Sequence, residues 1–170
     1  MSSRSQDWWR ALSQATIAIP LLVCAFTAVA DTALPPARDL LADARDTAQS
    51  GMPLIVLVSL ARCPHCEVVR RSHLLPLLRD TATGARPAIR QVELNGRELL
   101  RNFDGKEITH AEFARRHKVK IAPVVFFLDG KGALLTEPLV GSMIPDFYGA
   151  YFDAAFDEAK SRLRAARTGD

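Results

Sequence analysis

Pro53-Leu54-Ile55-Val56-Leu57-Val58-Ser59, followed after Leu60-Ala61-Arg62 by Cys63-Pro64-His65-Cys66, is the stretch whose reading decides the fold. The first part is a continuous apolar run with turn signals on both sides. It is short for a helix and rich in β-branched residues, so it predicts a strand buried on both faces. The cysteines then open a helical stretch to about Asp80, in which Pro76 should kink the helix or end it early. Pro64 suits the first helical position, where its missing N–H costs nothing.

Two cysteines with two residues between them lie about one helical turn apart, within reach of a disulfide. Cys63 falls at the helix N-terminus, where free N–H groups and the helix dipole favour a thiolate. Cys66, one turn in, should be shielded. An exposed attacker beside a shielded resolver is what dithiol exchange requires. His65 can add positive charge or a hydrogen-bond donor beside the Cys63 thiolate and Arg62 a further cation, which stabilises the reduced form and makes the disulfide more oxidising. Two other uses of the pair remain open at this point. A purely structural disulfide would close too short a loop to constrain the unfolded chain. Zinc would need four ligands, and beyond the two cysteines the chain offers scattered His65, His73, His110 and His117. For His73, His110 and His117 the ordinary reading is a solvated or capping histidine on a helix.

Working outward, Leu40, Leu41, Ala44 and Ala48 recur at helical spacing between Ala37 and Ser50, and Gly51 supplies a stop. Ala88 to Leu94 alternates like a half-buried strand, and Asn95 to Ile108 reads as a loop with at most one helical turn. Thr109-His110-Ala111-Glu112 fits a capping box and predicts a short helix to about Lys118. Val124 to Leu128 is a second fully apolar strand, preceded by Pro123, which by itself reads as a strand-start proline. Asp129-Gly130-Lys131-Gly132 predicts a hairpin with Ala133 to Val140 as the returning strand. Pro145 opens a final helix with an apolar stripe of Tyr148, Phe152, Ala155, Ala159 and Leu163. The alternation of strands and helices predicts one α/β domain with a central mixed sheet flanked by helices.

The chain has 170 residues, 48% of them apolar and 24% charged, with 22 basic and 19 acidic residues. This balance excludes fibrous and multi-span membrane classes, and the small net charge argues against nucleic acid as a partner. Residues 1–30 read as a secretory signal: Arg4 and Arg10, an apolar run from Ala15, and Ala28-Val29-Ala30 as a cleavage site. The run is shorter than the roughly 20 residues that a spanning helix wants, though an uncleaved N-terminal anchor facing the periplasm is the alternative. Residues 31–170 then form the functional domain, and loss of Cys24 leaves Cys63 and Cys66 as its only thiols, in a compartment where disulfides persist.

A strand, Cys-Pro-His-Cys opening a helix, and then Ile121-Ala122-Pro123-Val124 opening an apolar strand and hairpin resemble the thioredoxin fold over roughly residues 37–165. Phe103-Asp104-Gly105-Lys106, the hairpin at 129–132 and Val140-Gly141 look like periplasmic thioredoxin-like proteins of the SoxW kind. The active-site dipeptide is similar to that of the strong oxidant DsbA, without room for the helical insertion of that protein. The resemblance implies a periplasmic thiol–disulfide oxidoreductase acting on protein thiols and disulfides as a monomer, with no cofactor or metal and with a membrane redox partner. It implies Cys63 as nucleophile, Cys66 as resolving cysteine, Pro64 and His65 as tuning residues, and Pro123 as a cis-proline whose neighbour Ala122 pairs with substrate backbone. Arg62 stands where thioredoxins have tryptophan. Leu57 stands where they bury a carboxylate, which leaves water or Glu67 as the proton route. Reductase is the expected direction. An oxidase, or a non-catalytic chaperone or copper-handling module with only Met52 and Met143 as soft extra ligands, is the alternative.

Overall fold

The computed structural model describes residues 33–80, 86–141 and 145–168. The expected export signal at 1–30, Cys24 and Met143 lie outside the described residues. Along the chain run α1 (Leu40–Ser50), β1 (Leu54–Ser59), α2 (Pro64–Val69), α3 (Leu75–Arg79), β2 (Ala88–Glu93), β3 (Leu99–Arg101), β4 (Glu107–Thr109), α4 (His110–Arg116), β5 (Val124–Leu128), β6 (Leu139–Val140) and α5 (Pro145–Thr168).

The two apolar runs become the two central strands. Every residue of β1 and β5 is buried, and they pair antiparallel with Val58 opposite Val124. β2 lies parallel to β1 on its other side, and β6 runs antiparallel to β5, giving the order β2-β1-β5-β6. The parallel β1–β2 pair needs a crossover, which α2 and α3 supply. Side-chain alternation splits the strands between two cores. Ile55, Leu57, Ile89, Val125 and Phe127 pack with Val69, Leu74 and the Tyr148, Phe152, Ala155 and Ala159 stripe of α5. Leu54, Val56, Val58, Val92, Val124 and Phe126 pack with Leu40, Phe113 and Leu100 on the opposite face. This mixed sheet, with helices on both faces and a terminal hairpin and helix, is a thioredoxin fold.

The expected elements needed four adjustments. First, α1 starts at Leu40 because Asp39 caps it, its side chain accepting from Ala42 N at 2.9 Å. The segment before it instead covers the outer edge of β2, with Ala37 N donating to Gln91 O and Gln91 N to Pro35 O. Second, of the two outcomes expected at Pro76, a kink or an early end, the helix is distorted and not ended. A π-helical stretch, Arg70–Leu74, widens the turn where the proline lacks its N–H, and α3 continues to Arg79. Third, the region expected as a loop contains the β3–β4 hairpin, closed by Asn102 N to Lys106 O at 2.8 Å with Gly105 at φ +80°. Its three-residue strands bury only Leu100 and Ile108, too little for a periodic signal. Fourth, the strand expected from Ala133 to Val140 is reduced to β6 and an isolated bridge from Leu134 to Leu128. Pro138, which has no N–H to donate, stands immediately before β6.

The hydroxyl half of the expected capping box forms, Thr109 Oγ1 accepting from Glu112 N at 3.1 Å, while the Glu112 carboxylate accepts from Arg115 and Arg116 instead. Its second residue does something else. His110 is buried, not solvated: Nε2 lies 2.9 Å from Ala37 O and Nδ1 accepts from Glu93 N at 3.1 Å. Nε2 therefore carries the proton, and the ring stitches the N-terminal segment, β2 and α4 together. His110→Ala leaves a buried carbonyl and a half-buried N–H without partners. The expected loss is about 2–4 kcal/mol, read as a lower urea midpoint with unchanged m-value.

Candidate functional site

β1 ends at Ser59, and the chain turns through Leu60, Ala61 and Arg62 before α2. Arg62 makes the turn in the left-handed region at φ +56°, a conformation that costs a non-glycine residue on the order of 1 kcal/mol. Cys63 is the N-cap of α2: its sulfur accepts from Cys66 N at 3.1 Å, and its carbonyl accepts from Glu67 N at 3.1 Å. Pro64 occupies the first helical turn. The Cys63 and Cys66 Cα atoms are 5.2 Å apart and the sulfurs are joined as a disulfide. Cys63 is half-buried, whereas Cys66 is fully buried in the start of the helix. Pro64 and His65 are exposed beside them.

Pro123 precedes Val124, the residue paired with Val58, so it lies at the same end of the sheet as the start of α2. The Ala122–Pro123 peptide bond is cis. Pro123 is buried, and its carbonyl accepts from Gly141 N at 2.8 Å, which ties the β5 entry to the loop after β6. The two halves of the site, more than fifty residues apart in sequence, are thus brought to one sheet end by strand pairing alone.

Beneath the cysteine helix lies a polar cluster that sequence reasoning missed. Leu57 pairs with Gln91 and Ser59 with Glu93, so Ser59, Gln91 and Glu93 share the sheet face of Leu57 and Ile89. Arg70, one turn beyond Cys66, reaches into this row. It donates to Gln91 Oε1 at 3.0 Å and to Ser59 Oγ at 3.2 Å, and it pairs with Glu67. Gln91 Nε2 in turn donates to Glu93 Oε1 at 2.6 Å. Arg71 also pairs with Glu67, so the carboxylate expected as a proton route is held by two guanidiniums. The two-residue period of a strand puts Gln91 and Glu93 on one face with Ile89, whereas Val92 faces the other core. Only the packed helix shows that Arg70 satisfies them.

A groove of about 450 Å³ opens beside this cluster, lined among others by Leu60, Arg62, Cys63, Glu67, Arg70 and Glu93. Leu57, by contrast, is wholly buried among apolar neighbours.

The remaining histidines do not converge on the cysteines. His73 packs against Tyr148 and Phe152 on the α5 side, while His117 packs against Phe113 and Phe126 on the other face. Among the described residues, no group of three or more His, Cys, Asp or Glu side chains is placed to hold a metal ion. Burial holds both imidazoles below the usual histidine range. A histidine depressed in the folded state protonates first in the unfolded chain. Stability is therefore full above the unfolded histidine pKa of about 6.5 and declines as pH falls below it. His117→Phe should flatten that decline, which urea midpoints at neutral and mildly acidic pH measure; an unchanged slope contradicts it.

No family model matches the chain, and no curated protein matches it. Among solved structures it is similar to a thioredoxin-fold protein from Helicobacter pylori, at 12% identity and a TM-score of 0.49, over 84% of this chain and 97% of that one. Fold and site together, a thioredoxin fold with a cysteine pair at Cys-x-x-Cys spacing, suggest thiol–disulfide redox function.

Proposed function

We propose that this protein is a periplasmic thiol–disulfide oxidoreductase that reduces disulfides of protein substrates through Cys63 and Cys66. The observation that carries the reading is the asymmetry of the pair: a reachable sulfur at the helix N-terminus and a wholly buried one a turn later. The Cys63 thiolate attacks a substrate disulfide, forms a new S–S bond to one substrate sulfur and releases the other as thiolate. Cys66 then gives up its proton and attacks Cys63, releasing the second substrate thiol and leaving the Cys63–Cys66 disulfide. Pro64 pre-shapes the helix start. Arg62 adds positive charge, and His65 a ring N–H, that favour the attacking thiolate. Ala122 and Pro123 form the edge along which an extended substrate segment lies.

Substrate reduction consumes two electrons per turnover, so a dithiol donor must restore the pair. We assign that role to a membrane redox partner, with residues 1–30 as the export signal and the mature domain acting as a monomer. Neither nucleic acid nor a metal or organic cofactor enters this scheme. Run backwards, the same steps make a disulfide donor, and the Arg62 cation favours that direction.

The equilibrium of the Cys63–Cys66 pair with glutathione decides between them. A potential below about −230 mV supports the reductase, and one above about −180 mV the disulfide donor. Absence of a reversible two-thiol transition overturns both.

A further inference from the structure

We infer that the disulfide end of this protein selects acidic polypeptide partners, an inference that rests on the oxidoreductase reading and names its substrate class. Among the loops at this end of the sheet are those after β1, after β2 and before β5. They carry Arg62, Arg97, Lys118 and Lys120, all exposed. Among the described residues none of these four cations makes an ion pair. The carboxylates nearby are otherwise engaged: Glu67 by Arg70 and Arg71, and Glu93 by Gln91 Nε2. Only Glu98 among the carboxylates of these loops is left exposed.

The cations surround a surface suited to a polypeptide. Leu60, in the loop after β1, and Ile121, in the loop before β5, are 39% and 55% exposed. The groove at Cys63 shares Leu60, Ala61 and Glu93 with a second groove of about 430 Å³ that reaches Arg97. A chain laid along Ala122 has Lys120 two residues away on the same loop. A groove of mixed apolar and polar lining, rimmed by four cations with no ion pair among the described residues, complements a segment whose cysteine is flanked by Asp or Glu. Exposed pairs of this kind add little affinity singly. Their summed field raises the association rate and is lost with salt.

The test uses the full chain and a set of disulfide-linked peptides with one core sequence and Glu, Gln or Lys flanks. At low salt kcat/KM for the acidic peptide should exceed that for the basic one by about tenfold, and the ratio should collapse at high salt. In an Arg97→Glu, Lys120→Glu double variant the acidic-to-basic ratio should fall to about one or invert. Exchange with equal rates at low salt, or a preference for the basic peptide, overturns the inference and leaves the oxidoreductase standing. Failure to exchange with any of the peptides overturns both.

Discussion

With Cys66 replaced by serine, the protein should accumulate in covalent mixed disulfides with its substrates, visible as high-mass bands on non-reducing gels that vanish on reduction. Cys63, half-buried at the helix start, can still attack. The wholly buried sulfur that would resolve the bond is gone. Steady-state turnover should drop by on the order of a thousandfold or more in this variant and equally in Cys63→Ser, because the two sulfurs act as one unit. The two variants differ in what they trap: Cys63→Ser should trap nothing, since Cys66 is screened from a substrate by the turn above it. A pattern in which Cys66→Ser traps nothing and Cys63→Ser traps substrate would reverse the roles. A chaperone that uses this fold only as a binding platform keeps its activity in both variants. A copper carrier loses metal binding in both, since thiolates are the soft ligands that Cu(I) prefers, but has no exchange activity to lose.

The largest expected stability effect lies at the centre of the sheet. Phe127 is fully buried on β5 and meets Phe152 at 5.5 Å and Phe156 at 6.3 Å between ring centroids. It joins α5 to the strand that carries the Pro123 end of the site. Phe127→Ala removes the ring and leaves a cavity that the flanking strand and helix close only in part. About 3–5 kcal/mol should be lost, a large share of the roughly 5–15 kcal/mol that holds a typical domain folded. A lower urea midpoint with the m-value unchanged is the measurement. Val68→Ala, at a side chain 48% exposed on the cysteine helix, is the contrast and should stay within about 0.5 kcal/mol. A cost below about 1 kcal/mol at Phe127 would mean that α5 does not rest on β5 as described.

The legible parts of this protein share one property: a long, uniform local signal. The runs at 54–59 and 124–128 could be read as doubly covered strands because every residue in them is apolar or small. The α5 stripe was legible because its spacing persists over several turns, and the start of α4 because the Thr109 hydroxyl caps it locally by accepting from Glu112 N. The illegible parts lack such a signal. The β3 and β4 strands bury one side chain each, so no alternation develops, although Asp104-Gly105 marks their turn. The π-helical stretch lies just before Pro76, where local rules predict a kink or an end without deciding between them.

At the site, the order Cys-Pro-His-Cys determined by itself which residue caps the helix and which lies a turn inside it. That follows because helical spacing and a proline at the first position are local constraints. Residue order also supplied His65 and Arg62 beside the attacking sulfur. The tertiary structure alone decided what lies under and around that helix. Arg70 is a surface-type residue by sequence, yet it lies inward because Ser59 and Gln91 face it across the β1–β2 pairing and Glu67 pairs with it from its own helix. His110 stands at the start of an amphipathic helix, yet it is buried because Ala37 and Glu93, both remote in sequence, present a carbonyl and an N–H to its two nitrogens. A buried polar group stays only where partners meet it, and here the partners come from distant strands whose register no local pattern encodes.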